Sequence, residues 1–150
     1  MNQVMKKLIY LISLVLLFSI SSFGQAKNYL VLLFDPKQDQ YGYKNLKGDT
    51  IIPMGKYPMC FTDTFKTYAI VIKYPLGFVA IDRKENVMYT VFPYDNGPDY
   101  TSEGLFRIIK DGKMGFADSL TGKIVIKPKY ACALPFENGL AKVSYDCKKG

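Results

Sequence analysis

Three short stretches of this 150-residue chain read as copies of one another: Tyr41-Gly42-Tyr43, Leu76-Gly77-Phe78 and Met114-Gly115-Phe116. Each is a large apolar residue, a glycine and an aromatic, and the glycines stand 35 and 38 residues apart. A period of that size marks supersecondary units stacked in series, each too small to hide its own apolar face. Arrays of this kind present extended surfaces for binding. The repeat therefore constrains the fold and the kind of function together.

The third copy is the clearest. Residues 105–110 are apolar and β-prone, and Asp111-Gly112 is the strongest short hairpin signal, because both turn residues tolerate positive φ. Residues 113–118 return as a second strand, and Ser119-Leu120-Thr121-Gly122 turns the chain again. Lys123-Ile124-Val125-Ile126 alternates and is β-branched, which predicts a third strand. Pro128 is expected to end it, since proline has no N–H to give to a ladder. The first copy repeats the plan over 29–34, 40–46 and 50–52, stopped by Pro53. The middle copy runs over 68–73, 77–81 and 87–92. No segment sustains a helical period.

The expected fold is all-β: three tandem units of about three short antiparallel strands each, plus the start of a fourth, stacked as a repeat array. The units fall at roughly 29–67, 68–103 and 104–138, with a partial unit over 139–150. Gly42, Gly77 and Gly115 are expected to admit a close backbone approach or a φ that other residues resist. Met114 and Phe116 flank the third of them.

The first 26 residues read as a segment separate from this fold. Lys6-Lys7 precede an uncharged run of 13 residues, Leu8 to Ile20, and Ser22-Phe23-Gly24 offers small residues where a signal peptidase reads. A signal peptide over 1–26 is expected, with cleavage after Gly24 or after Ala26. The alternative is an uncleaved anchor, in which the serines must be counted to reach the ~20 residues of a membrane span. The domain over 27–150 is then exported: periplasmic, cell-surface or secreted. The chain carries +7 in all and +5 past residue 26. That balance suits an anionic envelope surface, and it also suits simple solubility. The lysines are scattered through turns, which argues against nucleic acid.

Catalytic chemistry finds few residues to use. The chain has no histidine, so neither a Ser-His-Asp nor a Cys-His arrangement exists. Asp82 and Asp118 form a candidate carboxylate pair for a hydrolase; the alternative is that each opens a turn and bonds its own backbone. Asp95-Asn96-Gly97-Pro98-Asp99 concentrates oxygen donors, but its spacing is incomplete for a calcium loop. No cofactor or metal site is expected. Tyr57, Tyr94 and Tyr130 recur once per unit beside Lys56 or Lys129, either as a ligand-binding surface or as plugs in the seam between units. Of the three cysteines, Cys132 and Cys147 are the candidate disulfide in an oxidising compartment. On the other reading, Cys60 and Cys132 are small buried apolar residues.

Residues 103–118, EGLFRIIKDGKMGFAD, resemble a WG repeat, also called the KWG repeat. The likeness continues through Thr121-Gly122-Lys123-Ile124-Val125-Ile126-Lys127-Pro128-Lys129-Tyr130 and through Phe136-Glu137-Asn138-Gly139-Leu140-Ala141. One departure stands out: the chain has no tryptophan, and Tyr41, Leu76 and Met114 occupy the signature position. The resemblance implies a β-rich, often exported bacterial repeat; it implies no activity, since such repeats look like interaction modules, and a non-catalytic module is expected here. Its partner would be a protein or an anionic envelope glycan. The other readings are a small exported hydrolase and a structural spacer without a ligand.

Overall fold

The computed structural model describes residues 28–147, and every regular element among them is a β-strand. The expected signal peptide lies outside the described residues. The first meander is β1 (Leu30–Asp35), β2 (Gln40–Lys44) and β3 (Thr50–Tyr57), and the short β4 (Thr64–Phe65) pairs back onto β1. The second is β5 (Tyr68–Lys73), β6 (Gly77–Asp82) and β7 (Val87–Val91), followed by a small hairpin of β8 (Pro93–Tyr94) and β9 (Gly97–Pro98). The third is β10 (Leu105–Lys110), β11 (Lys113–Asp118) and β12 (Ile124–Tyr130). Finally β13 (Cys132–Ala133) pairs with β14 (Val143–Ser144). All pairings are antiparallel. One sheet has the order β3-β2-β1-β4, and a six-stranded sheet runs β12-β11-β10-β7-β6-β5.

One junction recurs between consecutive meanders. The chain leaving each of the first two meanders lies antiparallel to the first strand of the next, with Cys60 facing Val71 and Val91 facing Ile108, and after the third meander Ala133 faces Val143 of β14 in the same sense. The outgoing member is buried each time. Side chains alternate along a strand, so a meander with apolar residues at successive positions feeds two cores at once. On β6, Val79 and Ile81 enter the core shared with the first meander, while Ala80 enters the next core with Tyr89, Phe106 and Ile108. A third core gathers Met114, Phe116 and Ala133, with Phe92 and Phe136 packed against it.

The turn after each second strand opens with an Asx residue. Asn45, Asp82 and Asp118 each use Oδ1 to accept backbone N–H groups two and three or four residues on. Two of these turns dock on the meander before. Arg83 donates to the Phe65 carbonyl at 2.8 Å and stands over its ring, and the Ser119 carbonyl accepts from the Tyr68 hydroxyl at 2.7 Å. Four tyrosines tie the seams in the same way: Tyr43 to the Thr62 carbonyl, Tyr57 to Glu85, Tyr68 to Ser119 and Tyr89 to the Gly122 carbonyl.

The pairing registers correct the sequence alignment of the middle meander. Counting from the hairpin ends, Leu33 faces Gly42, Val71 faces Val79, and Ile108 faces Gly115. Val79, not Gly77, therefore holds the repeat-glycine position, and Phe78, not Leu76, holds the position of Tyr41 and Met114. In that frame the spacings become 37 and 36 residues. Gly77 is the first residue of β6, next to the turn, with φ of +79° and nothing within 4 Å of where a Cβ would stand.

The physical reason lies in the third strand. Between Tyr41 and Tyr43, β2 advances two residues while β3 goes from Tyr57 to Ile52; between Met114 and Phe116, β12 goes from Tyr130 to Ile126. The surplus backbone, with Pro53 or Pro128 inside it, arches over the glycine as a bulge. A Cβ on Gly42 would lie 2.7 Å from the Ile52 carbonyl oxygen, and one on Gly115 would lie 2.7 Å from the Pro128 nitrogen. In the middle meander Val79 faces Thr90 and Ala80 faces Tyr89 without a shift, so a valine fits. The two prolines thus sit within β3 and β12 instead of ending them, in bulges where no N–H is needed.

Two predictions follow from this packing. Gly115→Val should destabilise by on the order of 2 kcal/mol or more through overpacking against fixed backbone, whereas Gly77→Ala should cost only about 1 kcal/mol through its φ. Equal shifts in urea midpoint for the two would overturn the distinction. The second concerns pH. Burial raises the phenol pKa of Tyr43, Tyr57 and Tyr89, and takes that of Tyr68 from 10.0 to about 12 and the Cys60 thiol from 9.0 to about 11. The folded chain then holds protons that the unfolded chain releases, so this stability is complete below pH 9.0 and is lost as pH rises toward 12. Thermal melting should be flat up to about pH 9 and fall steeply above it. A melting temperature that stays level to pH 11.5 or so would contradict the assignment.

Candidate functional site

The most unusual interior group is a charge. Arg107 lies on β10 between Phe106 and Ile108, and alternation turns it to the opposite face, toward the third core. It is 4% exposed. Asp99, 7% exposed, meets it: Asp99 Oδ2 accepts from the Arg107 backbone N at 2.7 Å and from Nε at 3.0 Å, and Oδ1 accepts from Nη2. Nη1 donates to the Ala133 carbonyl at 3.3 Å. The guanidinium lies 4.2 Å from the centre of the Phe92 ring and 5.8 Å from that of Tyr94. A bidentate, fully bonded pair under an aromatic lid meets the conditions in which a buried ion pair is tolerated.

This pair fixes the loop above it. Asp95 and Asn96 both have positive φ and make the primed turn joining β8 to β9. Tyr94 and Tyr100 flank that loop with rings 5.1 Å apart, edge to face, and each is about half exposed, at 50% and 46%. Beyond Tyr100 a groove opens between two stacked turns. It is lined by Ser102, Pro135, Phe136, Asn138 and Lys142 among others. Ser102 Oγ donates to the Phe136 carbonyl at 2.6 Å, and Gly139 N donates to Glu103 Oε2 at 2.9 Å, so the walls are bonded to one another. Leu134 and Leu140 on its rim are 54% and 77% exposed. Exposed aromatic and aliphatic side chains thus cluster around this groove.

The three tyrosines singled out from sequence do not converge. Tyr57 is buried at the seam of the first two meanders, where it donates to Glu85 Oε2 while Lys56 binds Oε1, each at 2.8 Å. Burial works against the Glu85 charge, yet Lys56 and the Tyr57 hydroxyl together hold its carboxyl below the ordinary range. Tyr130 is half-buried, faces Met114 across the ladder and packs against Tyr145 with rings 5.2 Å apart. Tyr94 does not line the groove itself; it packs against Tyr100, which does.

Asp82 and Asp118 are held by their turns. Asn86 and Lys84 in one case, Thr121 and Leu120 in the other, bond the carboxylate and lower its pKa. A glycosidase pair needs one carboxyl raised to act as an acid, and neither is. The Asp95–Asp99 loop does not gather its oxygens either: Asp99 turns inward to Arg107, and no cluster of three acidic or cysteine ligands occurs among the described residues. Cys132 and Cys147 are bonded as a disulfide with Cα atoms 5.8 Å apart, and Cys60 is a free, buried thiol.

The Asp99–Arg107 pair escaped sequence reasoning, although a signal was present. In the preceding meander the same two positions, eight residues apart, are Thr62 and Ile70, and the Thr62 hydroxyl accepts from the Ile70 backbone N at 2.9 Å. A change from Thr and Ile to Asp and Arg at coupled positions is legible only once the register is known.

Residues 114–147 match the family model described as a WG containing repeat. The match begins at Met114, which stands at the signature tryptophan position, and runs through β14. The chain thus carries a WG repeat over this segment. No curated protein and no solved structure matches the chain.

Breaking the ion pair on one side should be costly. Arg107→Met alone leaves Asp99 buried and uncompensated, with an expected loss of about 3–5 kcal/mol. The double change Arg107→Met with Asp99→Thr should recover most of it, the hydroxyl accepting from the position-107 N–H as Thr62 does from Ile70. A double variant no more stable than the single one in urea titration would show that the pair is not the relevant unit.

Proposed function

We propose that this protein is an exported, non-catalytic repeat module that binds a protein partner at the bacterial cell envelope. In this reading the three meanders are tandem repeat units, and residues 134–147 open a fourth. The observation that carries the proposal is the Tyr94–Tyr100 pair, half exposed and set on the buried Asp99–Arg107 pair beside an apolar groove. Tyrosine suits this role because it offers a large contact area with few rotors to freeze. A preformed surface also loses little entropy on association. The aliphatic rim of Leu134 and Leu140 favours apolar side chains of a protein over the hydroxyl-rich surface of a sugar.

An anionic envelope glycan is the second reading, supported by the net charge of +5 past residue 26 and by Lys142 at the groove. The hydrolase reading loses support from the lowered pKa values of Asp82 and Asp118. The spacer reading gives no role to the exposed aromatic pair.

The test compares wild type with Tyr94→Ala/Tyr100→Ala in retention of envelope components, joined to photo-crosslinking from position 100. The double variant should keep its melting temperature and lose at least tenfold in retention, with a protein crosslinked to the wild-type groove. Equal retention by both forms would refute the groove. Retention abolished by salt, without a protein crosslink, would favour the glycan.

A further inference from the structure

We propose that the Cys132–Cys147 disulfide is a redox latch that holds the groove wall in place, so that reduction opens the groove while the meanders stay folded. The inference rests on the groove assigned above, and its structural half can be tested without a partner. Three observations carry it.

The first is the attachment of β14. In the earlier meanders the residues corresponding to Val143 are Val71 and Ile108, each with a strand on both sides and fully buried. Val143 has only the β13 side occupied among the described residues and is 40% exposed. Besides the two-residue ladder, backbone bonds from Ala131 to Ser144 and from Leu134 to Lys142 complete the contact. Leu140 and Tyr145 lie mostly in solvent, so apart from Phe136 and Ala141, which rest on the third core, this stretch buries little.

The second is the position of the crosslink. The half-cystines are 15 residues apart, and the loop they close contains Leu134, Phe136, Asn138 and Lys142 of the groove. Closing a loop of this length restricts the released ensemble substantially. With the bond cut, the wall keeps the short ladder, the contacts of its turn to Ser102 and Glu103, and the packing of Phe136 and Ala141 on the third core.

The third is access. Cys147 is exposed and Cys132 half-buried, whereas Cys60, the third cysteine, is buried and free. A dithiol reductant can reach Cys147 Sγ. Its thiolate attacks there, a mixed disulfide forms, and the Cys132 sulfur leaves as thiolate and takes a proton. The second reductant thiol then displaces Cys147. Two electrons pass to the protein, the dithiol becomes a disulfide, and the chain ends with two thiols. Burial keeps Cys60 from competing in this exchange.

Hydrogen exchange on the full chain with and without dithiothreitol tests the latch. Amides of residues 131–147 should exchange at least tenfold faster after reduction, while those of β5 to β11 keep their protection. Cys132→Ser/Cys147→Ser should give the reduced pattern without reductant, and Cys60→Ser should give the oxidised one. Unchanged exchange over 131–147 overturns the proposal. Loss of protection throughout the sheet overturns it as well, because the bond would then support the whole fold. Retention of envelope components is read separately. An oxidised chain that binds nothing defeats the groove's function, whereas local opening on reduction still supports the latch.

Discussion

The pairing between the chain leaving one meander and the first strand of the next is the contact on which the rest depends. A first strand has two edges, and its own hairpin fills only one. At Val71 and Ile108 the second edge is filled from the preceding meander, by Cys60 and by Val91. An isolated three-stranded meander would leave that row of N–H and C=O groups open and would expose both apolar faces. Each large side chain covered at a seam contributes about 1.5–3 kcal/mol, and the seams hold Tyr43, Phe65, Ile81, Phe106 and Phe116. Neighbouring meanders are therefore stable together and weak apart, as expected of a one-dimensional array.

The Asx turns gain their meaning from the same contact. Asp82 and Asp118 invite a catalytic reading when seen as carboxylates at similar distances from glycines. In the fold they shape the turns that reach back to Phe65 and Tyr68 of the preceding meander. Among the described residues, the one buried pair of opposite charges, Asp99 with Arg107, replaces the Thr62 and Ile70 of the meander before. It sits beneath the loop where Tyr94 and Tyr100 emerge. The array thus departs from its own pattern beneath an exposed aromatic pair. Such local departures from internal consistency are where function is sought in a repeat protein.

The match over residues 114–147 coincides with the copy that was clearest from sequence, and it spans the Met114–Phe116 strand, the bulged β12 and the disulfide. The earlier meanders follow the same backbone plan with other side chains. That difference explains how the plan persists without its signature tryptophan. Tyr41, Phe78 and Met114 hold the same place in their hairpin registers, and each supplies a large side chain there.

Strand identity, the absence of helices among the described residues, the Asp111-Gly112 turn and the approximate period were legible in the sequence, because alternation, β-branching and turn chemistry are local properties. The role of Gly42 and Gly115 was half legible: a glycine announces a close approach but does not name what approaches. Tertiary structure alone decided the rest. The bulges carrying Pro53 and Pro128 set which residue lies over which glycine, and their absence from β7 moved the middle register from Gly77 to Val79. The union of Asp99 with Arg107 and the separation of Tyr57, Tyr94 and Tyr130 were likewise settled in space. A one-residue change in pairing turns every following side chain to the other face, and that choice is made by the neighbouring strand.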